Sequence, residues 1–443
     1  MIRKTLAVWV LLSIAAWAAA DTGWGRHTEA GEWAFARGDY EKAEAEFRSA
    51  LQIAQKLPEG DLRLEESLRN LGLFYEHRSR LDEAQPLFLL WLAAREHRLG
   101  ADSAELLEVL AAVARTSIPV GDHPTALSSL ERYVAIADTN GGTDEEQLRI
   151  VLGTLARVYL LADRGDEALQ AQRRETKLTL DNPGLAEDEQ CASLESLAQL
   201  ELQFGDADAA EAAYERNIQI RRETNPEADV TDILAAGART ALDAGELDVA
   251  SRLAERAARD AVDAKVKHSA EKTLADAAWM KVRRMSDRIA DLAAVDADPE
   301  ALGRAAEALD AVLEWQTVEL GAIHADRVET LNRMVSVAVM QRDLDRAAQI
   351  QQRLVDAYRT ATGAASIQTR TALQGLVDIQ RIDPERLELA AEANEQLAAA
   401  EEEAWGATDS RRRSTLELQL EMLRALKQKK QAKAVKKMLR KLD

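Results

Sequence analysis

The chain has 443 residues, with 57 Lys or Arg against 77 Asp or Glu and a formal net charge of −20. That balance argues against nucleic acid and anionic membrane surfaces as partners for the body of the protein, and a lone cysteine, Cys191, excludes an internal disulfide. Aromatics make up 4% and there are only 8 Pro, so the composition is that of an all-α chain without Pro-rich linkers.

Residues 1–20, MIRKTLAVWVLLSIAAWAAA, begin with Arg3 and Lys4, run apolar from Leu6 to Trp17 and end in Ala18 and Ala20 before Asp21. This is the pattern of a secretory signal peptide with an A-x-A cleavage site, so the mature protein is expected to be exported, periplasmic or secreted. The alternative is an uncleaved anchor, but the apolar run is shorter than the ~20 residues that span a bilayer. No membrane insertion is therefore expected after cleavage.

Residues 21–263 repeat one unit six times. An Ala opens each second helix, at Ala43, Ala84, Ala126, Ala168, Ala210 and Ala250, with spacings of 41, 42, 42, 42 and 40. Each Ala follows a short polar turn at the same offset, as in ARGDYEKA and VGDHPTA. Gly38, Gly121, Gly205 and Gly245 share one turn position, where a left-handed helix end costs Gly least. In the copy from Leu68 to Gly100, Leu68, Leu71, Gly72, Tyr75, Ala84, Phe88 and Trp91 fall at helical spacings on two helices, with Gly72 and Ala84 placed where the helices cross.

This pattern resembles the tetratricopeptide repeat, and the spacing near 42 is similar to the longer repeat of the kinesin light chain type. The resemblance implies an all-α, right-handed superhelical solenoid of antiparallel helix pairs that binds a protein or an extended peptide segment in its concave groove. In such arrays the residue after the small residue of the helix crossing points into the groove. Those positions are Arg115, Arg157, Gln199 and Arg239, and in the copy before them Arg69 and Asn70 lie one turn earlier. Guanidinium groups spaced by one repeat suit carboxylates or backbone carbonyls of a bound segment. The alternative is that each Arg pairs with an acid of its own or a neighbouring repeat.

Residues 264–408 break the register and then resume it. The next opening Ala, Ala305, lies 55 residues beyond Ala250, and Ala347 follows 42 later. Residues 266–293 read as one long helix carrying Trp279, Met280, Met285, Ile289 and Leu292, and the break DADPE follows. A degenerate copy runs from Ile367 to Trp405. Residues 409–443 form a basic C-terminal hairpin, with 12 Lys or Arg against 3 acids from Arg411 onward. Leu416, Leu420, Leu423 and Leu426, then Val435, Met438, Leu439 and Leu442, give it an apolar stripe suited to capping the stack. Its charge also suits docking on the acidic array, in the same chain or in self-association with another.

Catalysis has no visible seat. The six His are scattered, and no H-E-x-x-H, C-x-x-C, G-x-x-x-x-G-K, G-x-G-x-x-G or G-x-S-x-G run occurs. Asp296, Asp298 and Glu300 lack the ligand count and turn Gly of a calcium loop, and Cys191 reads as a small buried residue rather than a nucleophile. The expectation is a scaffold with no cofactor, no metal and no enzymatic activity. The rival is an accessory or sensor subunit of an envelope enzyme or of a secretion or assembly complex.

Overall fold

A computed structural model describes residues 23–58, 60–140, 144–283 and 299–442. The expected signal peptide, residues 1–20, lies outside the described residues. So do Met285, Ile289, Leu292, Asp296 and Asp298. The described residues form helices joined by short turns, without strands, so the chain is an all-α repeat array.

Two compact units divide the chain after Asp206. The first holds α1 (23–36), α2 (Tyr40–Ala54), α3 (Leu62–His77), α4 (Leu81–Leu99), α5 (Leu107–Val120), α6 (His123–Asn140), α7 (Glu145–Leu161), α8 (Gly165–Asp181) and α9 (Glu187–Phe204). The second holds α10 (Ala207–Thr224), α11 (Thr231–Ala244), α12 (Leu247–Asp260), α13 (Ala264–Arg283), α14 (Pro299–Glu319), α15 (Ala325–Met340), α16 (Leu344–Thr362), α17 (Ile367–Gln380), α18 (Leu387–Trp405), α19 (Arg413–Ala425) and α20 (Lys429–Leu439). Within each unit, successive helices pack on one another as antiparallel neighbours.

Steric need explains the repeated Ala. Ala43, Ala84, Ala126, Ala168, Ala210 and Ala250 are each the fourth residue of an even-numbered helix, and each is 0% exposed. Ala305, Ala347 and Ala390 are equally buried on α14, α16 and α18. A larger side chain at any of these points would force two close-packed backbones apart.

Five residues before the Ala, the turn adopts a left-handed conformation. Gly38, Gly121 and Gly245 supply it at φ 78°, 85° and 86°, and Ser79, Asp163, Arg342 and Lys427 supply it at φ 57°, 56°, 61° and 59°. Gly205 departs from the expectation, with φ −129°. Its reason is space: a Cβ there would lie 2.1 Å from Glu201 Oε2 and 2.8 Å from Leu169 Cδ2.

Aromatic side chains concentrate at the start of unit 1, where Phe35, Phe47, Phe74 and Tyr75 meet edge-on or tilted at centroid distances of 5.5–6.1 Å. The core of unit 2 is aliphatic, built around residues such as Leu309, Leu331, Leu354, Leu373 and Ile379. The degenerate copy is the pair α17 and α18. Beyond it, Leu416, Leu420, Leu423 and Val435 bury against Ala398 of α18, so the basic hairpin is held by apolar contact. Arg412, 2% exposed, adds bonds from Nη1 to the Ala407 carbonyl (2.9 Å) and from Nη2 to Glu402 (2.6 Å).

Candidate functional site

On α7, Leu148, Leu152, Leu155 and Ala156 face the core, whereas Ile150, Gly153, Arg157 and Leu160 fall on a second stripe at i, i+3, i+7 and i+10. The same offsets recur on α9 in Glu189, Ala192, Ser196 and Gln199. These two stripes line opposite sides of a cavity of about 500 Å³ within unit 1, with Gln172 and Glu175 of α8 on its floor. Ile150 and Leu160 remain 48% and 38% exposed there. Small residues at Gly153, Ala192 and Ser196 keep the space open.

The floor is a satisfied polar network. Glu175 is buried and accepts hydrogen bonds from Ser193 Oγ (2.5 Å), Gln172 Nε2 (2.8 Å) and Thr179 Oγ1 (2.8 Å). Arg149 at the rim donates to Glu146 (2.6 Å), Glu189 (3.2 Å) and Glu175 (3.5 Å). Glu146 holds its proton less readily than an ordinary carboxyl, first because of that Arg149 bond. Four donors around one carboxylate leave it no spare lone pair, so the floor is a rigid, internally satisfied base.

The structure places the sequence-predicted residues in different settings. Arg157 on α7 and Gln199 on α9 both line the cavity, and among the described residues neither has a hydrogen-bond or ion-pair partner. Arg115 instead forms a two-pronged pair with Glu76 of the preceding repeat, and that bond raises its pKa. Arg69 donates from Nε to Glu108 of the following repeat at 2.9 Å. Arg239 lies on α11 in unit 2 and donates to Ser269 Oγ at 2.6 Å. Asn70 is half-buried on α3.

Sequence reasoning passed over Arg149, Ile150, Leu160 and the Glu175 network. The signal for the first three is the second stripe of α7, apolar at both ends on a face that the core does not use. Among the described residues no three His, Cys, Asp or Glu side chains are grouped to hold a metal ion. Cys191 is fully buried, and Glu300 pairs with Arg304 at 2.8 Å. No helix of the described residues is long and apolar enough to cross a membrane.

The family model for the tetratricopeptide repeat matches residues 26–88, so this stretch carries tetratricopeptide-repeat sequence. No curated protein matches the chain. Among solved structures, BtubC (BKLC) from P. vanneervenii is similar at 18% identity, over 48% of this chain and 92% of that one, with a TM-score of 0.37. A Podosopora anserina putative kinesin light chain with nearly identical TPR-like repeats gives 21% identity over 45% and 95%, also at 0.37. The Naa15/Naa10 complex bound to HypK-THB gives 15% over 96% and 60%, again at 0.37.

Proposed function

We propose that this chain is an exported, non-catalytic scaffold that holds an extended segment of another protein across the cavity between α7 and α9. The observation that carries the reading is that Arg157 and Gln199, both without a partner among the described residues, line one cavity with the exposed side chains of Ile150 and Leu160. A bound segment would lay an apolar side chain on the Ile150–Leu160 stripe. Its carboxylate or backbone carbonyls would accept from Arg157 and Gln199, which lose no internal bond in turning to it. The tetratricopeptide-repeat sequence at 26–88 supports a scaffold of this kind, and the A-x-A pattern before Asp21 supports export.

A photo-crosslinking residue at Ser196, in the native envelope, tests the site. The expected result is one dominant protein adduct that is lost when Arg157→Ala and Gln199→Ala are combined. Capture that survives this double substitution overturns the assignment of the cavity. Export is tested separately by sequencing the N-terminus of the native protein, which should begin at Asp21; retention of Met1 overturns it.

A further inference from the structure

The terminal helix α20 uses one face for packing and leaves the other wholly cationic. Val435 is buried, and Ala432, Leu439 and Leu442 pack beside it on the apolar cluster shared with α19 and α18. On a helical wheel these four side chains occupy one arc, and Lys429, Lys433, Lys436 and Arg440 with Lys430, Lys437 and Lys441 fill the arc opposite. All seven cations are exposed, and no acid occurs between Lys429 and Leu442. Among the described residues none of the seven takes part in an ion pair or a side-chain hydrogen bond. Met438, 42% exposed, flanks the cationic face.

Along the array, many cations are neutralised by a carboxylate. Arg69, Arg80, Arg115, Arg164, Arg173 and Arg252 each bond a carboxylate, mostly one repeat away. Those pairs use Arg, whose planar fork matches a carboxylate. In α20 and the turn after it, six of seven cations are Lys. Lys is a strongly hydrated point charge on a flexible stem, suited to a diffuse anionic field rather than to specific carboxylates. Five Lys on a helix about 16 Å long, with Arg440 and Lys441 in the turn after it and one exposed Met beside them, match a surface of mobile phosphate headgroups.

We propose that the Lys-rich face of α20 is an adsorption surface for anionic phospholipid. The acidic remainder of the chain is repelled by such a bilayer, so contact is confined to this helix, and the cavity between α7 and α9 is not used in it. The inference does not depend on the partner proposed for that cavity.

The test uses the chain from Asp21 to Asp443, which contains every described residue and lacks the apolar segment 1–20. Co-sedimentation is measured with phosphatidylcholine vesicles containing none or about 30 mol % phosphatidylglycerol, at about 50 and about 500 mM NaCl. Binding is expected only with phosphatidylglycerol, at least about tenfold weaker at the higher salt. It should also fall about tenfold in Lys433→Gln/Lys436→Gln/Lys437→Gln, whose circular dichroism and melting should match the parent because none of the three packs on the core. Failure to bind phosphatidylglycerol vesicles at low salt overturns the proposal, as does equal binding to neutral vesicles or an unaffected triple variant. Tighter binding to duplex DNA than to the vesicles at the same salt reassigns the face to nucleic acid. Light scattering that shows oligomers dispersed by the same three substitutions reassigns it to a second copy of the chain. Both of those outcomes also overturn it.

Discussion

Gly72 faces the ring of Phe88 so closely that a Cβ on it would stand 2.5 Å from Phe88 Cε1. The ring is 0% exposed and cannot retreat. Gly72→Ala would gain about 1 kcal/mol of helix propensity and lose more to overpacking, so a net destabilisation of about 1–3 kcal/mol is expected. Gly303 on α14 is the control, because a Cβ there meets nothing within 4 Å. Gly303→Ala should stabilise by about 0.5–1 kcal/mol. Urea melts of the two variants measure both signs.

The left-handed turns yield a second pair of outcomes. Arg342 holds φ 61° in the turn before α16, where a non-Gly residue costs about 1–2 kcal/mol. Arg342→Gly should recover about 0.5–1 kcal/mol once the greater freedom of an unfolded Gly is set against that relief. Gly121→Ala should lose a similar amount. A shift of both in the same direction would show that the turn conformation does not govern these sites.

Glu44 accepts from Arg80 Nη1 (2.5 Å) and Tyr75 Oη (2.9 Å) and pairs with Arg48 (2.8 Å). The Arg80 bond is the chief cause that lowers its pKa below the ordinary 4.5. A lowered carboxyl pKa stabilises the fold in full above 4.5, and the contribution disappears as pH falls through the folded-state value. Glu44→Gln should therefore destabilise by about 1 kcal/mol at neutral pH and become neutral at acid pH below that value. Parallel melts from pH 7 downward should converge.

Two arginines one repeat apart separate stability from binding. Arg115→Ala removes an exposed pair with Glu76, worth about 0–1 kcal/mol, and should leave capture at the α7–α9 cavity unchanged. Arg157→Ala breaks no internal bond and should leave melting unchanged while reducing capture. A fall in melting for Arg157→Ala, with capture intact, would make it structural.

What sequence made legible follows from how each residue is constrained. Ala43 and its equivalents were visible because contact between backbones admits one side-chain size at every copy. Ser79, Asp163, Arg342 and Lys427 were not, because once the flanking helices fix the turn a non-Gly residue accepts the left-handed conformation at a modest cost. The groove arginines were readable by type and spacing, whereas their partners were not. Arg115 reaches Glu76 and Arg69 reaches Glu108, each 39 residues away, and such a pair is recognisable only when the register of stacking is known. Arg157 differs from Arg115 in having no acid at that reach, a property of the neighbouring repeat rather than of its own.

The bonds around Glu44 have a counterpart further along. Tyr159 Oη (3.0 Å) and Arg164 Nη1 (2.8 Å) both donate to Glu131, with the guanidinium 4.5 Å over the Tyr159 ring, as Arg80 lies 4.5 Å over Tyr75. Burial and the adjacent carboxylate push the Tyr159 hydroxyl up to about 12, so both clasps stay closed through the neutral range. One fastens α2 to the turn after α3, the other α6 to the turn after α7. Loosening one clasp should therefore be felt only at its own joint: in hydrogen exchange, Glu131→Gln should lower protection in α6–α8 and leave α1–α4 unchanged.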